Sequence, residues 1–173
     1  MRERAINAVD VLNDLVGDLI TGTNVLRDYR AQHQRNKLPT ELVVGIQKMC
    51  ISHLVMGACK FIEFFEHFHD ILDADDRTSA KALVREFNSR GMVEFRNTVV
   101  GHIWDKKKGR PLLLSEITKH LERLTNKDLV SFLDWINKLE VHRQPDSVVG
   151  TVEKIRSNLV EAHSIQPDEV IGR

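Results

Sequence analysis

Hydrophobic residues recur every three or four positions along most of the chain, which is the spacing of one face of an α-helix. The first such stripe runs from residue 5 to about residue 29, and the second starts at residue 42 and continues for almost thirty residues. A polar stretch that ends at Pro39 separates the two stripes, and Thr40 is a plausible N-cap. The pattern therefore predicts two long helices joined by a short turn.

Shorter amphipathic segments follow the two long stripes. An acidic turn precedes a third helix, for which Thr78 or Ser79 is the expected N-cap, and Gly91 ends it. Further helices are predicted over residues 92–100, 115–124, 129–139 and 148–162. No strand signal is present, residues 105–111 are predicted to form a basic loop, and the tail after Pro167 is expected to fray.

These elements predict an all-α, up-and-down bundle of about five to six helices. Two long helices joined by a short turn are most simply antiparallel neighbours, and the shorter helices close the bundle. The chain has 173 residues, which is enough for one domain with its own core. We assign residues 1–143 to the bundle and residues 144–173 to a C-terminal helix and tail packed on the same domain.

Charge and cysteine content narrow the class of protein. The chain has 25 basic and 25 acidic side chains, so it lacks the overall positive charge of a general nucleic-acid coat protein. Cys50 and Cys59 lie nine residues apart in one predicted helix, on opposite faces, and cannot bridge each other. Uninterrupted apolar runs are far shorter than the roughly 18 residues of a membrane span. We expect a soluble cytoplasmic protein with no membrane partner.

One short segment carries candidate chemistry. Arg96, Asn97 and His102 place a fixed positive charge, an amide and a titratable imidazole within seven residues. Histidine and arginine can supply proton transfer and charge stabilisation for RNA cleavage without a metal. On an unbroken α-helix, Arg96 and His102 would lie about 120° apart and roughly 9 Å along the axis. A left-handed cap at Gly101, or a two-fold dimer that combines both copies, would bring them together.

An arginine, a polar residue, four further residues and a histidine, within an all-helical domain of this size, resemble the HEPN superfamily. The charged loop and the helix opened by residues 111–116 are similar to its abortive-infection branch, and the resemblance covers roughly residues 9–139. It implies a metal-independent endoribonuclease that acts in phage defence or as a toxin, with its site built across a homodimer. Arg96, Asn97 and His102 would be the catalytic residues.

The resemblance also implies supporting residues and partners. A polar residue of the second long helix often supports a HEPN site; Glu63 is our candidate, and Lys60 is equally allowed. An antitoxin or regulatory protein is a possible partner. HEPN toxins that a paired nucleotidyltransferase controls commonly have tyrosine two residues beyond the histidine, where this chain has Trp104. Regulation by that route is therefore not expected.

The remaining candidates concern RNA binding and metals. Lys106, Lys107, Lys108 and Arg110 follow the motif and are candidate RNA-binding residues, although charge runs are usually solvated loops.

Glu66 and His69 have the spacing of a diiron ligand pair, but the second such pair that a diiron bundle needs is not apparent. We expect no metal and no cofactor. The rival to a ribonuclease is a non-catalytic helical module for dimerisation or for binding RNA or a nucleotide.

Overall fold

The computed structural model describes residues 1–101, 104–105, 108–138 and 146–170, with backbone only for 104 and 105. The described chain is all-α apart from one small hairpin, which confirms the predicted fold class. Its α-helices are α1 (Arg2–Gln34), α2 (Thr40–Phe68), α3 (Ala74–Ser89), α4 (Met92–Phe95), α5 (Leu114–Thr125), α6 (Leu129–Ile136) and α7 (Val148–His163). A π-helical turn (Arg96–Val100) continues α4, and a 3₁₀ turn (Pro167–Glu169) follows α7.

The two long helices pack against each other in antiparallel fashion. Arg4 near the start of α1 pairs with Asp70 just beyond α2, whereas Asp18 in the middle of α1 pairs with Lys60. The helices approach closely at Gly22, where an added Cβ would lie 2.9 Å from Leu54 Cδ2. This buried glycine allows the contact, so a residue that lowers intrinsic helix propensity serves the packing of α1 on α2.

Aromatic side chains form the centre of the core. The ring of Phe61 on α2 lies 5.7 Å from that of Phe64 and meets Phe87 of α3 edge to face at 6.0 Å. Phe87 in turn contacts Trp135 of α6 at 5.8 Å, and the Arg90 guanidinium lies over the Trp135 ring. These rings tie α2, α3 and α6 together through burial and edge-to-face geometry.

Helix α7 joins the same hydrophobic cluster and packs against α1 and α3. Ser147 caps its first turn by accepting a hydrogen bond from the backbone N–H of Gly150. Asn158 donates to both carboxylate oxygens of Asp76, at 3.0 Å each. Asp76 is buried, and the loss of hydration raises the pKa of its carboxyl group. This bond links α3 to α7 through a polar group inside the fold.

Several helix ends differ from the predictions. Pro39, not Thr40, is the N-cap of α2, and α3 begins at Ala74 because Asp73 accepts a hydrogen bond from the Asp76 N–H. The caps proposed at Thr78 and Ser79 are therefore wrong, since both residues lie inside α3. Asp73 offers its carboxylate earlier in the chain, in an extended conformation suited to an N-cap.

The described ends of the basic loop and the first residues of the tail also differ from the predictions. Trp104–Asp105 (β1) pairs antiparallel with Arg110–Pro111 (β2) in a short hairpin, and Gly109 adopts φ +63° in its turn. The expectation that the tail frays after Pro167 is wrong as far as residue 170. Glu169 accepts a hydrogen bond from Arg2 at 2.6 Å, which ties the 3₁₀ turn to α1.

Within the described ranges, α2 is the helix that is long and apolar enough to cross a membrane. Polar residues interrupt its apolar runs, so the length of uninterrupted runs in the sequence did not indicate it. Of its most apolar 18-residue window, 44% is buried inside the protein, where it packs against α1. The core thus accounts for much of its apolar character, and cytoplasmic localisation stays a prediction.

Candidate functional site

Arg96 opens a widened turn of helix. The Gly101 N–H donates to the Arg96 carbonyl oxygen at 2.8 Å, a bond that spans five residues, and the turn continues α4 without a break. Gly101 has φ −85° and ψ −20°, so the left-handed cap expected there is wrong. The wide turn satisfies the Arg96 carbonyl with the backbone in a right-handed conformation. Single π turns of this kind occur frequently at functional sites.

The Arg96 guanidinium is held by side chains from two elements. Its Nη1 lies 3.3 Å from Glu63 Oε1 on α2, and its Nε donates to Asn97 Oδ1 at 3.1 Å. The guanidinium also interacts with the buried thiol of Cys59, whose pKa is raised because burial outweighs the opposing effect of Arg96. About a third of the Arg96 side chain (32%) and most of Glu63 (62%) remain exposed. The cluster therefore faces solvent at one end.

Of the two residues considered on α2, Glu63 contacts Arg96, whereas Lys60 pairs with Asp18 of α1 at 2.8 Å. His53 Nε2 lies 3.4 Å from the other Asp18 oxygen. The contacts of Asp18 with His53 and Lys60 were missed in the sequence, because Asp18 is more than thirty residues from both in the chain and no local pattern joins them. Only the antiparallel pairing of α1 with α2 brings them together.

A groove of about 330 Å³ runs between α1 and α2 beside Glu63, which pairs with Arg96. Glu63 and Lys60 line it, together with Val11, Asp14, Phe64, His67 and Phe68. Its surface thus combines aromatic and aliphatic carbon with charged groups of both signs. A nucleotide likewise combines an apolar, aromatic base with a charged phosphate.

Among the predicted RNA-binding residues, Lys108 and Arg110 both pair with Glu116 at the start of α5. The Lys108 Nζ lies 2.5 Å from Glu116 Oε1, and both Arg110 Nη atoms donate to the same carboxylate at 2.9 Å. Glu116 also accepts from the Leu113 N–H, and these bonds hold the pKa of its carboxyl group well below the ordinary value. Part of the positive charge of the hairpin is therefore engaged within the protein.

Three predicted residues, His102, Lys106 and Lys107, lie outside the described residues. What is described is an arginine with an amide and a carboxylate as neighbours, six residues before His102 in the sequence. A phosphate group could take the place of Glu63 on the guanidinium, since both are oxyanions that arginine binds through paired N–H groups. In the part of the chain that the structure describes, no group of three or more His, Cys, Asp or Glu residues could hold a metal ion.

The architecture matches that of a solved structure. An integron cassette protein from the mobile metagenome of V. paracholerae superposes with a TM-score of 0.72, over 92% of this chain and 97% of that chain. The two chains share a fold. They are 23% identical, so the likeness carries no information on function. No protein-family model matches the sequence, and the search of curated proteins also gives no match.

Proposed function

We propose that the protein is a metal-independent endoribonuclease of the HEPN type that acts in phage defence or as a toxin. The observation that carries the proposal is the arrangement of Arg96. It opens a π turn, contacts Asn97 and Glu63, remains partly exposed, and is followed by His102 six residues later.

The proposed reaction uses groups of this chain alone. His102 accepts the proton of the RNA 2′-hydroxyl, whose oxygen attacks the adjacent phosphorus while the bond to the 5′-oxygen of the next nucleotide breaks. The departing 5′-oxygen takes up the proton that His102 accepted, which returns His102 to its neutral form and leaves a 2′,3′-cyclic phosphate and a 5′-hydroxyl. Arg96 stabilises the negative charge that accumulates on the phosphoryl oxygens, and Asn97 orients the guanidinium. Glu63 holds Arg96 until the phosphate displaces it.

The proposal includes a homodimer, and α2 offers a surface for it. Leu42, Met49 and Met56 are spaced seven residues apart, so they form one stripe along the helix, and they are 46%, 72% and 38% exposed. Glu63 continues the stripe at the next interval of seven. A second copy packed on this stripe with the two α2 helices parallel would bring its own site next to the Glu63–Arg96 pair, as a site shared between two copies requires. An antitoxin or regulatory protein is the other partner this proposal allows.

Purified protein incubated with end-labelled RNA in the presence of a chelator tests the proposal. We expect cleavage that persists in the chelator and yields cyclic-phosphate ends. Arg96→Ala and His102→Ala should each slow cleavage at least about a hundredfold, the usual scale for losing a charge-stabilising or acid-base group. Arg35→Ala is the matched control, since Arg35 also precedes an asparagine but is exposed at the end of α1.

The result that contradicts the proposal is equally specific. Cleavage that disappears with the chelator, or that Arg96→Ala and Arg35→Ala lower equally, would point to a contaminating nuclease or to metal chemistry at Glu66 and His69. Circular dichroism of each variant separates loss of chemistry from loss of fold.

The exposed stripe on α2 also favours a second candidate function, a non-catalytic module for dimerisation or for RNA or nucleotide binding. Light scattering of the wild type and of Met49→Glu at micromolar concentration tests the dimer that both functions share. A wild type of 19.9 kDa under these conditions would exclude the dimer. A dimer that binds RNA but does not cleave it would favour the module.

A further inference from the structure

A second candidate site lies away from Arg96, in the C-terminal half of α1. Arg27 and Arg30 are one helical turn apart and both line a cavity of about 170 Å³ between α1 and α6. Ala31, Gln34, Val130 and Leu133 complete the lining. The site is about 13 Å further along α1 than Asp18.

The hydrogen bonds of the two arginines leave donors unused. Arg27 Nη2 donates to Asp134 Oδ1 at 2.7 Å and to the Asn137 carbonyl at 2.6 Å, and only 15% of its side chain is exposed. Arg27 Nη1 and Arg30 Nη1 are both buried, and neither has a hydrogen-bond partner among the residues that the structure describes. A buried charged donor without a partner is unfavourable, so both nitrogens favour an oxyanion.

The acidic side chains nearby do not supply these bonds. Asp134 is half-exposed and bonds to Arg27 through the other nitrogen, Nη2. Asp128 is close enough to Arg30 for the guanidinium to help lower the pKa of its carboxyl group. Its oxygens, however, accept from Val130 N, from Ser131 N and from the Ser131 hydroxyl, as the N-cap of α6. The two carboxylates thus leave both Nη1 groups available.

A neighbouring depression suits an apolar ring. It measures about 360 Å³, shares Arg30 and Gln34 with the first cavity, and lies between α1, the start of α2 and the start of α6. Val43, Val44 and Leu129 give it apolar walls, and Gln47 and Thr40 add polar groups. A flat heterocycle fits such surroundings, since its faces are apolar and its edge can form hydrogen bonds with amides.

We propose that these two connected cavities bind a mononucleotide, with its phosphate on Arg27 and Arg30 and its base against Val43 and Leu129. Two arginines on one face suit a phosphate, which accepts several N–H bonds at once. The proposal does not depend on ribonuclease activity. It assigns the chain a small-molecule site that is separate from Arg96, Asn97 and Glu63.

Isothermal titration calorimetry of the full chain with AMP, GMP, CMP, UMP and inorganic phosphate tests this inference. We expect at least one nucleotide to bind at least tenfold more tightly than phosphate. Arg30→Gln should weaken that binding at least tenfold, and Gln47→Leu should weaken nucleotide binding more than phosphate binding. Arg85→Gln, an exposed arginine on α3, is the charge-matched control and should leave affinity unchanged.

Arg27→Lys gives a second variant in case Arg30→Gln disturbs the fold, because it keeps the charge and the reach towards Asp134. Circular dichroism verifies folding in both cases. No binding at millimolar nucleotide, equal affinity for phosphate and nucleotides, or equal loss in Arg30→Gln and Arg85→Gln would each overturn the proposal. The measurement does not depend on RNA cleavage. The ribonuclease proposal can therefore fail while the nucleotide-binding proposal holds, and nucleotide binding can fail while the ribonuclease proposal holds.

Discussion

Two regions of the molecule are stabilised by different physics. In the core that α1, α2, α3 and α7 share, the contacts are mostly apolar, and rings such as Phe61 and Phe87 are fully buried. Around the π turn and the hairpin, the contacts are ion pairs with partly exposed members, such as Arg96 with Glu63 and Arg110 with Glu116. Burial stabilises by about 25 cal/mol for each Å² of apolar surface, whereas exposed ion pairs contribute little and are screened by salt.

The contrast suggests a division of labour between the two regions. The apolar region sets the free energy of unfolding, and the ion-paired region positions side chains that a ligand can displace. A substitution in the first should therefore change global stability, and one in the second should change local geometry.

Phe61→Ala should have the largest effect on stability. It removes a fully buried ring that packs against Phe64 and Phe87, and such truncations typically cost about 3–5 kcal/mol. Urea unfolding followed by circular dichroism measures the change. A loss below about 1 kcal/mol would show that the core relaxes around the cavity and that the division of labour is wrong.

Asn158→Leu should have the second largest effect and lower the free energy of unfolding by about 1–3 kcal/mol, because it leaves the buried carboxylate of Asp76 without its partner. Burial already raises the pKa of Asp76, so the folded state binds this proton more tightly than the unfolded state does. Stability is therefore lost as the pH rises above the ordinary value of 3.8, and removing the amide enlarges that loss. Urea unfolding at pH 4 and pH 7 should show the greater deficit at pH 7. Asn88→Leu, on the exposed face of α3, is the control.

Two glycines of α1 give a matched pair with opposite expected signs. Gly17 is exposed and an added Cβ would meet nothing within 4 Å, so Gly17→Ala should stabilise by about 0.5–1 kcal/mol. At Gly22 the Cβ would press on Leu54, so Gly22→Ala should destabilise. Thermal unfolding of both variants measures the difference. Equal changes in the unfolding temperature of the two variants would show that helix propensity alone determines the effect and that the α1–α2 contact adjusts to the added methyl group.

Titration of Glu116 should have the smallest global effect. Its pKa is lowered by Arg110, Lys108 and the Leu113 N–H, so its stabilising contribution is complete above the ordinary value of 4.5 and is lost as the pH falls below it. As the pH falls below 4.5 towards the lowered pKa of Glu116, the backbone amide resonance of Leu113 should shift, while core amide resonances such as that of Ile155 stay in place. In Glu116→Gln the Leu113 shift should be absent. Loss of Ile155 signals at the same midpoint would contradict the division between regions.

The sequence predicted the fold well because its signal was local and repeated. Stripes over α1 and α2 span many turns, and the last helix was predicted over 148–162 where α7 is Val148–His163. The hairpin was missed because strands of two residues show no alternation, and the start of α3 was missed because several residues near Asp73 could act as caps. Where the local sequence signal was weak, or several residues carried it equally, the structure depends on contacts that the sequence pattern does not show.

The candidate site was only partly predictable for the same reason. Arg96 and Asn97 are neighbours in the sequence, so a motif could find them, and their contact is local. Glu63 was one of two equal choices, since helix periodicity does not say which of two polar residues meets a distant arginine. The contact of Asp18 with His53 depends on helix packing and left no pattern in the sequence. The same holds for the Arg27 and Arg30 nitrogens that have no partner in the described part of the chain.

The π turn after Phe95 has a consequence for the phase of the whole segment that follows. A turn closed over five residues contains one residue more than an α-helical turn. A chain shorter by one residue between Arg96 and Gly101 could close the same stretch as ordinary α-helix, with every later position rotated by about 100° and drawn back by about 1.5 Å. The position and direction of the chain at Gly101 thus depend on the length of one turn as well as on the side chains in it.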